Sequence, residues 1–317
     1  MVNPAGSSDQ RGFLFRIQCK CNYLFLRTML EPKALTNLVD HAFAEDVGDG
    51  DHSTLAVIPP DTQGHAVLKI KEDGVLAGME VAEFIFKHLE PGSRFFSKKK
   101  DGDLIRNGEI AFEVEAHVHV ILKAERLVLN CMQRMSGIAT LTRKYTDKLK
   151  GFHTRVLDTR KSTPNFRLLE KEAVRIGGGL NNRMGLYDMI MLKDNHIDFC
   201  GGIESAIERA YSYAQIKKPP LKIEVETRTL EDVKKVIKTG KVDRIMLDNF
   251  TTDNIRKALD LIHGKYETEA SGGINLDNVL EFAETGVDFV SIGALIHQAR
   301  SLDLSLKAVV KRVDGGQ

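Results

Sequence analysis

The stretch Val156–Arg167, VLDTRKSTPNFR, begins as a buried-looking strand and breaks abruptly into hydroxyls and cations, with Pro164 closing it. From about residue 150 the chain repeats this theme. Short β-rich runs, TRVLDTRKS, YDMIMLKDNH, LKIEVETR, DRIMLDNF, YETEASGG and DFVSIGA, each end in polar or charged residues before a stretch of helical spacing. In RLLEKEAVRI, Leu169, Ala173 and Ile176 fall on one helical face, and LEDVKKVIKTG closes on Gly240, a C-terminal cap. Strands alternating with helices imply βα units and a parallel sheet. Ligands of such sheets sit at the carboxyl ends of the strands, where the polar residues are here.

Working outward, residues 30–130 differ in character. A helical run, EPKALTNLVDHAFAED, is followed by strand signals in GHAVLKIKEDGVLAGM and GEIAFEVEAHVHVIL, which describes a separate α+β domain. A long amphipathic helix, KAERLVLNCMQRMSGIATLTRKYTDKL, joins it to a second domain expected over residues 131–295. Residues 296–317, with DLSLKAVVKRV, are expected to form a helix that folds back on the first domain. Residues 1–29 read as a loosely attached extension, with Met29 as an alternative start.

The chain has 317 residues, 42% of them hydrophobic, enough for two cores. Its 45 Lys and Arg nearly cancel its 44 Asp and Glu. No global field therefore points to nucleic acid or an anionic membrane, and any basic site is local. No apolar run is long enough to span a bilayer. Cys19 and Cys21 sit apart from Cys131 and Cys200, which forms no disulfide framework and fits a reducing, cytoplasmic setting.

The strand ends carry complementary groups. Arg160 and Lys161 follow the first, Arg183 precedes the second and Lys193 ends it. Four cations on one face repel one another unless a multiply charged anion lies between them, and arginine suits carboxylates and phosphates. The bland reading of each is solvated surface. Glu224 and Glu226 share one face of the third strand by the period of two, and Asp248 and Asn249 end the fourth. Inward carboxylates there meet a cation, a metal or sugar hydroxyls, or else a structural salt-bridge network. Ser271, Gly272 and Gly273 form a tight turn whose N–H groups can approach an anion, and Gly293 and Ala294 complete the nest.

Other features are set aside. EDVGDGDHST lacks the last glutamate of a calcium loop and reads as turns and caps. HVHV places His117 and His119 on one polar strand face, SKKKDG is a solvated turn, and His196 lacks a neighbouring nucleophile.

Taken in order, TRKSTP, GGGLNNRMGLYDMIMLKDNH, EVE, LDN, EASGGI and SIGAL resemble quinolinate phosphoribosyltransferases, as do EDVGDGDHST and ERLVLNCMQRMSGIAT. The resemblance runs from about residue 31 to the C-terminus. It implies an α/β fold: an N-terminal α/β sandwich and an incomplete parallel α/β barrel of the type II phosphoribosyltransferase kind. It also implies a homodimer or hexamer in which one chain's sandwich caps the other's barrel. The implied reaction condenses quinolinate with phosphoribosyl pyrophosphate, with Mg2+, to give nicotinate mononucleotide, pyrophosphate and carbon dioxide.

By resemblance Arg160, Lys161, Ser162, Asn182 and Arg183 line the quinolinate pocket and Arg126 reaches in from the partner subunit. Lys193 lies between quinolinate and pyrophosphate. Glu226 and Asp248 hold ribose hydroxyls and magnesium-bound water, and Ser271, Gly272, Gly273, Gly293 and Ala294 cradle the 5′-phosphate. Lys161, Lys193, Glu226 and Asp248 are the implied catalytic groups. Three positions depart from the family: Asn182 stands at the usual histidine, Asn165-Phe166 at the usual Gly-Leu, and Ser162 at threonine. Rival readings are a related enzyme for another aromatic acid, a non-catalytic phosphate-binding barrel, and a Schiff-base aldolase using Lys193.

Overall fold

The computed structural model describes residues 30–309; the extension with Cys19 and Cys21 lies outside them. In the first domain, α1 (Pro32–Val47) and α2 (His52–Val57) lead into β1 (Gln63–Ile70), β2 (Gly74–Val75) and α3 (Met79–Leu89). The chain continues through β3 (Arg94–Ser97), β4 (Leu104–Ile105), β5 (Ile110–His117) and the 31-residue helix α4 (Val118–Lys148). Asp51 caps α2 by accepting from the Thr54 N–H at 3.1 Å, so EDVGDGDHST is a turn and a cap.

The second domain runs β6 (Arg155–Leu157), α5 (Arg167–Ile176), β7 (Ile190–Leu192), α6 (Asp194–Cys200), α7 (Ile203–Ile216), β8 (Ile223–Thr227) and α8 (Leu230–Thr239). It ends with β9 (Arg244–Asp248), α9 (Thr252–Ile262), β10 (Glu267–Ser271), α10 (Val279–Ala283), β11 (Phe289–Ser291) and α11 (Ala294–His297), before the closing strand β12 (Leu304–Ala308). All six expected strands form one parallel sheet, in the order β6-β11-β10-β9-β8-β7. Beyond β6 only a bridge between Leu157 and Leu180 continues the pairing among the described residues, so the barrel stays open between β6 and β7. Helix α8 carries the expected cap at Gly240, φ 66°, and a capping box at Thr229 and Asp232.

Two expectations need correction. Of the segment expected to be helical, Leu304–Ala308 is a strand, and residues 310–317 lie outside the described residues. Leu304 and Leu306 alternate inward, and their backbone pairs antiparallel with β1, giving the first sheet the order β12-β1-β5-β3. A free strand edge offers a complete ladder of hydrogen bonds, which outweighs a weak helical pattern. His117 and His119 do not share a strand face, because β5 ends at His117 and α4 begins at Val118. His117 bonds Glu90 at 2.9 Å, and His119 bonds the Ile58 carbonyl.

Helix α4 spans the boundary expected near residue 130 and serves both cores. Val128, Met132 and Met135 are buried along it, as are Ile138 and Tyr145. At Gly137 the chain leading into β12 crosses so closely that a Cβ would stand 1.9 Å from the Arg300 carbonyl oxygen. Only glycine fits that crossing. The Gln133 side chain then donates to the Leu304 carbonyl and fixes the start of β12.

Candidate active site

The carboxyl ends of β6–β11 surround a cavity of about 820 Å³. Arg183 and the loop that carries Arg160 and Lys161 are held by buried carboxylates. After β6, Asp158 and Lys171 form a fully buried ion pair at 2.5 Å. Asp158 also accepts from the Asn182 N–H (2.8 Å) and the Asn181 amide (2.6 Å), while Lys171 donates to the Asn182 carbonyl (3.1 Å). This network fixes residues 181–183 against β6, and with them Arg183. A second buried carboxylate, Glu170, accepts from Arg134, the Thr163 N–H and the Thr163 hydroxyl, holding the TRKSTP loop. Arg134 also donates to the carbonyls of Ile296 and Ala299, so one side chain joins that loop to the end of α11. Asn165 adopts φ 62°, the left-handed turn expected of asparagine there.

Arg160, Lys161, Arg183 and Lys193 all line the cavity. The Arg183 guanidinium donates to the Met189 carbonyl, but its Nε is buried without a partner. Burial, and then the charge of Arg160, hold its pKa below the usual arginine value, so an anion between the two relieves both effects. At the neighbouring strand ends, Glu226 lies 3.4 Å from the Lys193 ammonium, and Asp248 accepts from the Asn249 amide at 2.7 Å.

The glycine turn closes the far side. Gly272 has φ 99°, and a Cβ there would lie 2.2 Å from Asn249 Oδ1 and 3.0 Å from the Asn249 nitrogen. Gly273 has φ 65°, faces open space and is held through its carbonyl by the Asn278 amide. A Cβ at Gly293 would press on Lys161 and His297, so that glycine lets the lysine stem pass.

Of the expected residues, Arg160, Lys161, Asn182, Arg183, Lys193, Glu226, Asp248, Ser271, Gly272, Gly273, Gly293 and Ala294 meet at this cavity. Ser162 does not line it; its hydroxyl accepts from Arg167 Nε at 2.7 Å. Arg126 is exposed on α4, away from the cavity of its own chain. Glu224 lies buried beneath the floor. Sequence reasoning passed over Glu269 on that floor and Arg244, which pairs with it at 3.0 Å. The period of two through ETEAS, which puts Glu269 and Ser271 on one face, was the available signal.

An open six-stranded α/β barrel whose strand ends bring four cations, two carboxylates and a glycine turn into one cavity has the charge pattern of a small-molecule site. Comparison with known proteins identifies its family. The quinolinate phosphoribosyl transferase C-terminal domain matches residues 138–307 and its N-terminal domain residues 51–136. The chloroplastic nicotinate-nucleotide pyrophosphorylase [carboxylating] of Arabidopsis thaliana is 43% identical over 86% of this chain and 82% of that protein. The probable nicotinate-nucleotide pyrophosphorylase of Bacillus subtilis is 41% identical over 86% and 92%. The crystal structure of NadC from Streptococcus pyogenes matches with a TM-score of 0.82 at 39% identity, covering 89% of this chain and 99% of that one. The chain belongs to the quinolinate phosphoribosyltransferase family.

Proposed function

We propose that the cavity at the strand ends is where this chain carries out its family's reaction: phosphoribosyl transfer to quinolinate with loss of carbon dioxide, giving nicotinate mononucleotide for NAD biosynthesis. The observation that carries the reading is the convergence of Arg160, Lys161, Arg183 and Lys193 on one cavity together with Glu226 and Asp248. Quinolinate is a dianion, and its two adjacent carboxylates relieve the repulsion among those cations. The ring nitrogen attacks the anomeric carbon as pyrophosphate departs. Glu226 and Asp248 then face the positive charge that develops on the ribose, and Lys161 and Lys193 face the leaving group. Loss of carbon dioxide then leaves the electron pair of the broken bond on ring carbon 2, stabilised by the adjacent positively charged nitrogen, and that carbon takes a proton from water to give nicotinate mononucleotide.

Magnesium fits this donor set in one way. No cluster of three or more His, Cys, Asp or Glu side chains could hold a metal among the described residues, whereas Glu226 and Asp248 suit an ion bound mainly by water and ligand oxygens. When bound, it supplies positive charge to the pyrophosphate. Arg126, exposed on α4, is read as the partner subunit's contribution to this site in a homodimer. A cytoplasmic address follows from the cysteine usage and remains part of the proposal; the Arabidopsis relative is named as chloroplastic. Among the described residues no helix is long and apolar enough to cross a membrane.

The test is incubation of the purified protein with quinolinate, phosphoribosyl pyrophosphate and magnesium, following nicotinate mononucleotide and carbon dioxide together. Equal amounts of both are expected, and Lys161→Ala should cut turnover by orders of magnitude. A folded protein that makes neither, or a Lys161→Ala variant at near-normal rate, refutes the reading.

A further inference from the structure

Two of the cavity's cations stand on separate segments, Arg160 on the loop after β6 and Arg183 on the turn before β7. Both lie outside the strands, so the ladder of the sheet does not fix their spacing. Their like charges push them apart. The placement of the pair therefore needs a support of its own.

A third arginine supplies it. Arg167, the first residue of α5, is half-buried and does not line the cavity. Its Nε donates to the Ser162 hydroxyl at 2.7 Å, and its Nη1 donates to the Met184 carbonyl at 3.1 Å. The Ser162 hydroxyl in turn donates to the Arg160 carbonyl at 3.5 Å, and the Ser162 N–H donates to the same carbonyl at 2.9 Å. Met184 follows Arg183 directly, and its own N–H donates to Asp188 at 2.6 Å. One arm of the guanidinium thus ends, through Ser162, on the backbone of Arg160, and the other on the residue next to Arg183. A guanidinium is planar and its N–H directions are fixed relative to one another. Holding both acceptors at once sets the distance between the two segments, which a single flexible ammonium does not do.

We propose that Arg167 is a positioning residue for the phosphoribosyl transfer: it braces the TRKSTP loop against residues 182–184 and so matches the spacing of Arg160 and Arg183 to the two adjacent carboxylates of the substrate. Ser162 belongs to this brace as its hydroxyl relay. The inference rests on the reading of Arg160 and Arg183 as carboxylate-binding residues.

The experiment measures KM for quinolinate and for phosphoribosyl pyrophosphate, kcat and Tm in Arg167→Lys, Ser162→Ala, Ser162→Thr and Arg167→Lys/Ser162→Ala, with Arg183→Ala as the reference. Lysine keeps the charge but loses the two-armed geometry, so Arg167→Lys should raise KM for quinolinate about tenfold. KM for phosphoribosyl pyrophosphate should rise less than about threefold, because the glycine turn and the carboxylates of β8 and β9 lie off the braced segments. Ser162→Ala should raise KM for quinolinate, and Ser162→Thr, which keeps the hydroxyl, should restore it. The double variant should exceed Arg167→Lys by no more than about threefold, since both changes cut one link. A wild-type KM for quinolinate in Arg167→Lys overturns the brace, because charge alone then suffices. An equal rise in both KM values overturns it too, as does full additivity in the double variant. Where Arg167→Lys does not fold, the serine variants decide: Ser162→Ala at wild-type KM, or Ser162→Thr as impaired as Ser162→Ala, overturns the proposal. If Arg183→Ala leaves KM for quinolinate unchanged, the underlying reading of the pocket fails; if Arg183→Ala raises it while Arg167→Lys and Ser162→Ala do not, only this inference fails.

Discussion

Replacing Lys171 by Met tests whether the buried ion pair behind the cavity holds the segment that carries Arg183. Lys171 and Asp158 are both fully buried, with the ammonium 2.5 Å from Asp158 Oδ1. Burial works against both charges: it raises the Asp158 pKa and lowers that of Lys171, and each partner partly offsets this for the other. Removing one partner from such a pair costs about 3–5 kcal/mol. Asp158 retains two donors, the Asn182 N–H and the Asn181 amide, which puts the expected loss near the lower end, about 3 kcal/mol. For a chain of this size that lowers Tm by roughly 4–5 °C. Thermal and denaturant unfolding should report this loss, with KM for quinolinate raised because the Asn182 carbonyl also loses its donor. In Asp158→Asn/Lys171→Met the loss should be smaller than the sum of the single losses. A loss below about 1 kcal/mol for Lys171→Met would refute the reasoning, since it would mean that Asp158 is not left as an uncompensated charge.

Gly272→Ala should cost about 1–3 kcal/mol of backbone strain and weaken phosphoribosyl pyrophosphate more than quinolinate, read from the two KM values. Both Arg126→Ala and Lys161→Ala should be inactive alone, but mixing the two should restore activity if Arg126 acts across a subunit boundary; no recovery on mixing counts against that. Burial, and then Glu269, raise the Glu224 pKa well above its ordinary value. The folded state therefore binds more protons than the unfolded one, and stability is lost as pH rises from the unfolded toward the folded pKa. Glu224→Gln should accordingly gain Tm relative to wild type at alkaline pH and gain little or nothing in acid, as calorimetry across pH would show.

The barrel was legible because each strand pairs a short apolar run with a polar end, and six such runs recur with helices between them. The cavity was legible for the same reason, since parallel strands deliver all those ends to one rim. What escaped reading depends on contacts between distant residues. Glu269 looks like an ordinary strand glutamate until Arg244 and Asn182 are seen beside it. Lys171, in an apparently amphipathic helix, shows nothing of its buried partner thirteen residues earlier. Ser162 matched a binding motif, but its hydroxyl is engaged by Arg167. The last strand was misread as a helix because its five residues carry a short pattern, and the decisive partner, β1, lies more than two hundred residues upstream.

That pairing of β1 with β12 has a consequence for biosynthesis. Residues 63–70 are synthesised more than two hundred residues before the neighbour that covers their outer edge, residues 304–308. Until then the nascent first domain exposes an unpaired strand, a template for pairing with other chains. The domain can collapse while the barrel is being translated but cannot complete its sheet, so truncation before residue 304 is expected to leave the β1 edge open to pairing with other chains.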